Sequence, residues 1–196
     1  MAIIIGIGSN LSFNGLAPEK LVVEALKWLQ TDGFVIKSVS SLYRTKPVYK
    51  DDQAAEKNQP DFINAAAVLN SDKSAEKVLE RLHACEAAFG RRRADRWDAR
   101  TLDLDILDYK GNILPSPTVW QSVVDDADPT AFINQVTVPH PRLHRRGFAL
   151  LPVAEILPSY KHPVTGRCIE DMLHHPVVAL MDDLSAIKNA GKIDCP

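Results

Sequence analysis

Asp103 and Asp105 stand two residues apart in Thr101-Leu102-Asp103-Leu104-Asp105-Ile106, which directly follows the cation-rich run Arg91-Arg92-Arg93-Ala94-Asp95-Arg96-Trp97-Asp98-Ala99-Arg100. In a strand, side chains at i and i+2 share a face about 6.5 Å apart. Two carboxylates so placed repel each other unless a positive group lies between them, and a divalent cation supplies that charge. Mg²⁺ takes oxygen ligands and shares its shell between one or two carboxylates and substrate phosphates. Arginines then grip the phosphate oxygens that the metal leaves free. The spacing by itself also fits an amphipathic strand with a solvated face, and the arginines also fit a solvated loop paired with Asp95 and Asp98. The two features side by side favour a metal-nucleotide site, with Arg91 and Arg100, at the ends of the loop, as the better phosphate ligands.

A second basic cluster, His140, Arg142, His144, Arg145 and Arg146, follows Pro139 and is suited to the far end of a polyphosphate. Phe62 and Asn64 share one strand face, an aromatic platform beside an amide that suits a flat heterocycle. For Phe62, Trp97 and Phe148 the default reading is nonetheless a place in the core. Gly6-x-Gly8 is only the start of a dinucleotide fingerprint, because Leu11 stands at the last glycine position. No G-x-x-x-x-G-K-[ST] occurs, so phosphate must be held by side chains and metal. His174-His175 reads as an exposed pair without further metal ligands at a useful spacing.

The elements that must position these groups are legible in the pattern. Ala2 to Ile7 is a short apolar, β-branched run, as in a buried central strand. Pro18 suits a first helical turn, and Leu21, Val22, Ala25, Leu26 and Leu29 form one stripe that stops before Gly33. Phe34 to Arg44 and Asp61 to Leu69 read as strands. Ser74 caps a second helix carrying Val78, Leu82, Cys85 and Phe89, with Gly90 as its stop. Leu102 to Tyr109 is a strand with Leu102, Leu104 and Ile106 facing the core and the aspartates facing outward. The order β-α-β-β-α-β is an α+β, ferredoxin-like signature: an antiparallel sheet with both helices on one face and the other face free for a ligand. Beyond it, Pro115 to Asn134 reads as a long loop or short helix, Gly147 to Leu157 as a helix packing back, and Val177 to Ile187 as a short helix. We expect a body of residues 1–175 and a tail of residues 176–196, either packed on the body or flexible.

With 196 residues, one domain with a sizeable core is expected. The 23 Lys+Arg against 25 Asp+Glu give a net charge of -2, so the arginine cluster is local and general nucleic-acid binding is disfavoured. No run is long enough to span a membrane, the start lacks the marks of an export signal, and a cytoplasmic monomer is expected. Cys85, Cys168 and Cys195 form no metal-type pair and read as free thiols, with Cys85 buried.

Gly8-Ser9-Asn10-Leu11, Tyr43-Arg44-Thr45-Lys46-Pro47, Gln59-Pro60-Asp61-Phe62-Ile63-Asn64, Glu86 with Gly90-Arg91, Arg96-Trp97-Asp98-Ala99-Arg100-Thr101-Leu102-Asp103-Leu104-Asp105-Ile106, and Val138-Pro139-His140-Pro141-Arg142 with Arg146-Gly147-Phe148 occur in this order. Together they resemble the 6-hydroxymethyl-7,8-dihydropterin pyrophosphokinases of folate biosynthesis, over roughly residues 3 to 157. The resemblance implies transfer of diphosphate from ATP to the pterin alcohol, with two Mg²⁺ ions held by Asp103 and Asp105. It implies that Phe62 and Phe148 sandwich the pterin, that Asn64 hydrogen-bonds its edge, that Thr45 and Val48 contribute backbone contacts, and that Trp97 closes over it. Arg91 and Arg100 would act on the phosphates, and Glu86, Arg93, Ile106, Thr137, His140 and Arg146 would line the ATP site. The sequence also departs from the family pattern: a longer loop from Lys46 to Gln59 with Tyr49 where glycine is common, His83 where glutamine is frequent, Ala94 in a shortened arginine loop, and the Pro115 to Asn134 insertion. Two rivals stand beside this reading. One is a single-stranded RNA binder, which the acid pair on the sheet face opposes. The other is a catalytically silent pterin- or nucleotide-binding paralogue.

Overall fold

The structure is a computed structural model that describes residues 2–48, 59–91, 98–125, 136–181, 184 and 187–193. Its centre is strand β1 (Ile3–Ser9), buried at six of its seven positions. β1 pairs antiparallel with β4 (Phe62–Asn70) on one side and β5 (Asp103–Tyr109) on the other. The expected strand from Phe34 to Arg44 is present as two pieces, β2 (Val35–Val39) and β3 (Leu42–Thr45), both paired with β4. The break falls at Ser40, whose hydroxyl accepts from Ala66 N at 2.9 Å while its own N–H donates to the Ala66 carbonyl. A side chain thus takes over one rung of the ladder. With β2 and β3 counted as one strand, the four expected strands lie in the order fourth-first-third-second, the ferredoxin-like arrangement.

Helices α1 (Pro18–Thr31) and α2 (Ala75–Ala88) cover one face. Pro18 opens α1, and Leu21, Val22, Ala25, Leu26 and Leu29 are buried as their spacing predicts. Ser74 caps α2 by accepting from Lys77 N, and Val78, Leu82 and Cys85 meet Ile5, Ile7, Leu104 and Ile106 in a single core. Gly90 ends the helix at φ +76°, and a Cβ there would lie 2.2 Å from the Phe13 ring, so both backbone and packing require glycine. Cys85 and Cys168 are free thiols, Cys85 being buried; Cys195 lies outside the described residues.

The opposite face is not left wholly free. A 3-10 turn at Leu143–Arg145 and helices α4 (Gly147–Ile156), α5 (Ile169–Leu173) and α6 (Pro176–Met181) pack on it, burying Leu143, Leu150, Val153, Ile169, Met172 and Val178 against Ile4, Ala66 and Leu107. The cause is apolar: Ile4, Ala66 and Leu107 give that end of the sheet an outer face that water would solvate poorly. Among the described residues, the end carrying Gly6, Gly8, Asp103 and Asp105 forms a cleft. Before the 3-10 turn, helix α3 (Pro117–Asp125) occupies the first part of the Pro115 to Asn134 stretch, with Trp120 buried and its Nε1 donating to the Pro139 carbonyl at 2.6 Å. After α6, which covers the first part of the helix expected over Val177 to Ile187, β6 (Lys188–Gly191) adds to the outer edge of β3, a strand that the sequence pattern did not predict. Asn and Gly in Lys188-Asn189-Ala190-Gly191 are poor helix formers, and the unpaired edge of β3 offers hydrogen bonds. No helix among the described residues is long and apolar enough to cross a membrane.

Candidate active site

The register of the sheet builds the cleft floor. Asp103 lies opposite Gly8 and Asp105 opposite Gly6 across β1 and β5, while Gly8 lies opposite Asn64 and Thr45 opposite Phe62 on the other side. Residues directly opposite share a face. The two carboxylates therefore look across the bare Gly6 and Gly8 of β1 toward Asn64 and Phe62. A Cβ placed at Gly8 would lie 3.4 Å from Asn64 Oδ1, 3.7 Å from Asp103 Cβ and 3.9 Å from Phe62 Cδ1, which measures how closely Gly8 joins the two halves. Asn64 is itself fixed, its Nδ2 donating to Thr45 Oγ1 at 2.8 Å in a buried setting.

The cleft is lined by Gly6, Ile7, Gly8, Asp103, Asp105, Leu107, His140, Leu143, Arg146, Phe148 and Ala149. Five of the residues singled out in the sequence, Asp103, Asp105, His140, Arg146 and Phe148, thus meet around one opening. Phe148 and Ala149 belong to the first turn of α4, whose positive end favours anions. The Arg146 guanidinium lies 5.6 Å from the Phe148 ring centroid, within cation-π range. His140 Nδ1 accepts from Arg142 N at 3.0 Å. Burial, then Arg146 and Arg142, push its pKa down to about 3. His140 is therefore neutral at physiological pH, with its proton on Nε2.

Around Asp103 the charges interlock. Arg91 Nη1 lies 2.6 Å from Asp103 Oδ1, Arg100 Nη1 lies 2.8 Å from Asp103 Oδ2, and Arg91 also pairs with Glu86. Glu86 projects from α2 and is 2% exposed; its Oε1 also accepts from Leu104 N at 2.7 Å, satisfying a backbone donor of the edge strand β5. Burial raises the Glu86 pKa to about 7 against the opposing pull of Arg91 and the Leu104 N–H. For Arg91 burial works against the charge, but Asp103 and Glu86 outweigh it and its pKa ends raised.

Among the described residues no group of three or more His, Cys, Asp or Glu side chains could hold a metal ion. The acid pair fits Mg²⁺ in one way: as a partial, all-oxygen shell completed by ligand phosphates and water.

A family model described as 7,8-dihydro-6-hydroxymethylpterin-pyrophosphokinase matches residues 4–158. The chain belongs to this pyrophosphokinase family. It is 33% identical over 180 residues to the 2-amino-4-hydroxy-6-hydroxymethyldihydropteridine pyrophosphokinase of Haemophilus influenzae, covering 90% of this chain and 96% of that one. To the Synechocystis sp. protein of the same name it is 29% identical over 170 residues, covering 87% of this chain and 73% of that one. The fold is shared with a Plasmodium falciparum HPPK-DHPS chain solved with pteroate, at a TM-score of 0.64 and 16% identity over 96% of this chain. This chain spans 45% of that larger one.

Within this pyrophosphokinase-family chain, not every residue singled out in the sequence reaches the cleft. The Ile106 side chain packs in the core with α1 and α2, on the far side of β5 from the aspartates, so any contact it makes with a nucleotide runs through its backbone. Glu86 sits behind Arg91 and not on the cleft wall. Thr137 and Val48 are half-buried outside the cleft lining, and Thr45, Phe62, Asn64, Arg91 and Arg100 also stand outside it, the first three across Gly8 and the arginines on Asp103. Trp97, Arg93, Ala94 and Tyr49 lie outside the described residues. Sequence reasoning missed the role of Gly6 and Gly8 as the bare floor between the carboxylates and β4. The signal was their i, i+2 spacing, which matches that of the aspartates opposite.

Proposed function

We infer that this protein transfers diphosphate from ATP to the hydroxymethyl oxygen of 6-hydroxymethyl-7,8-dihydropterin, releasing AMP, a step of folate biosynthesis. The observation that carries this reading is the Gly8 junction, which sets a carboxylate pair within reach of two arginines beside an aromatic and amide platform on the same sheet face. Phe62 and Phe148 hold the two faces of the pterin, with Asn64, Thr45 and Val48 at its edge and Trp97 closing over it. His140 and Arg146, with Arg93 and Thr137, receive the nucleotide. Asp103 and Asp105 would hold Mg²⁺, two ions on this reading, which when bound neutralises phosphate charge and polarises the attacking hydroxyl.

The chain's own part is positioning and electrostatics. Arg91 and Arg100, which now neutralise Asp103, turn to the phosphate oxygens as charge builds on the departing AMP. Glu86 keeps Arg91 at the cleft rim. No side chain is assigned as general base. The retained acid pair and arginines speak against the catalytically silent alternative. Because all these residues belong to one chain, a monomer suffices, and the cytoplasm, where ATP is abundant, is the expected site of action. The reading is tested by incubating the protein with ATP, Mg²⁺ and the pterin alcohol and following AMP. Release that depends on the pterin is expected, and tight binding of both ligands with no AMP would favour the silent alternative.

A further inference from the structure

Gly8-Ser9-Asn10 closes β1 between the two chain segments that carry the two halves of the proposed site, and the mechanism above leaves Ser9 and Asn10 unused. Asn10 is 2% exposed. Its side-chain Oδ1 accepts from the backbone N–H of Arg100 at 2.7 Å, while its Nδ2 donates to the Pro60 carbonyl at 3.1 Å and to Gln59 Oε1 at 3.4 Å. The backbone reinforces one side of this bridge, since the N–H groups of Asn10 and Leu11 both donate to the Arg100 carbonyl, at 3.0 and 3.1 Å. Ser9 Oγ donates to the neighbouring Thr101 carbonyl at 2.6 Å.

The two ends of this one amide therefore hold different segments. Arg100 grips Asp103 on the phosphate side, and Pro60 stands two residues before Phe62 on the pterin side. A primary amide offers an acceptor and a donor on one rigid plane, and burial makes the loss of either bond costly. Both segments thus share one buried side chain.

We propose that Asn10 is a positioning residue that couples the phosphate and pterin halves of the site, so that occupying one tightens the other. This rests on the pyrophosphokinase reading for the identity of the ligands. The coupling, being a binding free energy, is reciprocal and can be measured without turnover.

The test compares the wild type with Asn10→Ala, Asn10→Asp and Ser40→Ala, a remote control that removes the hydroxyl accepting from Ala66 N. Affinity for the pterin alcohol is measured by calorimetry, with and without a saturating non-hydrolysable ATP analogue and Mg²⁺, and kcat and KM are measured in parallel. In the wild type the analogue should tighten pterin binding about 10-fold or more. In Asn10→Ala that factor should fall to near one, with each ligand's separate affinity changed by less than about threefold and kcat down about 30-fold. Asn10→Asp keeps the acceptor for Arg100 N but loses the donor to Pro60, so it should also lose the coupling, with a smaller fall in kcat; it carries the test alone if the alanine variant does not fold. Ser40→Ala should lower the melting temperature and keep the coupling. Wild-type coupling in the Asn10 variants, no coupling in the wild type, or an equal loss in Ser40→Ala would overturn the proposal. A wild type that couples its ligands yet releases no AMP would instead refute the pyrophosphokinase reading and leave the coupling role standing.

Discussion

Each oxygen of the Asp103 carboxylate is held by a different guanidinium, Oδ1 by Arg91 and Oδ2 by Arg100. On the proposed reading, ligand binding exchanges these pairs, the acid turning to metal and the arginines to phosphate, so that few charges would be left unpaired in either state. Asp103→Ala and Asp105→Ala should each cut turnover about 10³-fold, the scale of several kcal/mol of lost transition-state stabilisation. Their stabilities should differ, because only Asp103→Ala strips both arginines of a partner; thermal melts of the two variants check this. Near-normal turnover in either would remove the metal role. Gly8→Val should leave the strand paired, since valine suits a central strand, but place branched carbons among Asn64, Asp103 and Phe62. Pterin affinity should fall about 10-fold or more with the far-UV circular dichroism unchanged.

At the scale of elements, the parts with a strong period were legible. The α1 stripe, the Ser74 cap and the Gly90 stop are all present, because each is set by local propensity and one buried face. The alternation of Leu104 and Ile106 with the aspartates likewise gave the cleft its acids. What was not legible depends on tertiary partners. The Ser40 break is a side-chain rung visible only once β4 lies beside it. The apolar cover of α4, α5 and α6 needs the outer face of the sheet to explain it. β6 is four residues that only an open edge at β3 makes into a strand. That last element gives a prediction: removal of residues 188–196 should preserve turnover, lower the melting temperature by a few degrees and raise the tendency to aggregate by exposing the edge of β3. Thermal melts and light scattering of the truncated protein would show it, and loss of turnover with an intact fold would assign the tail to the site.

For the molecule as a whole, the C-terminal layer carries a pH dependence of its own. His144 and His162 face each other edge-on, with centroids 5.6 Å apart, beside buried Trp120. Burial pushes both pKa values down to about 4, with Arg145, Arg167 and His175 adding to the effect on His144, and His144 to that on His162. Neutral in the folded protein, they would take up protons near the ordinary value of 6.5 once unfolded, so stability is full above about pH 6.5 and falls as pH drops toward 4. A loss on the order of 2 kcal/mol between pH 7.5 and 5 is expected in urea titrations, and His162→Phe should flatten that slope. In the proposed reaction the link that breaks in ATP is the one between its α- and β-phosphates. ³¹P NMR of a reaction containing the protein, ATP, Mg²⁺ and the pterin alcohol should show AMP and a pterin diphosphate appearing in equal amounts. ADP with a pterin monophosphate, or no change in the ATP resonances while both ligands are bound, would contradict it.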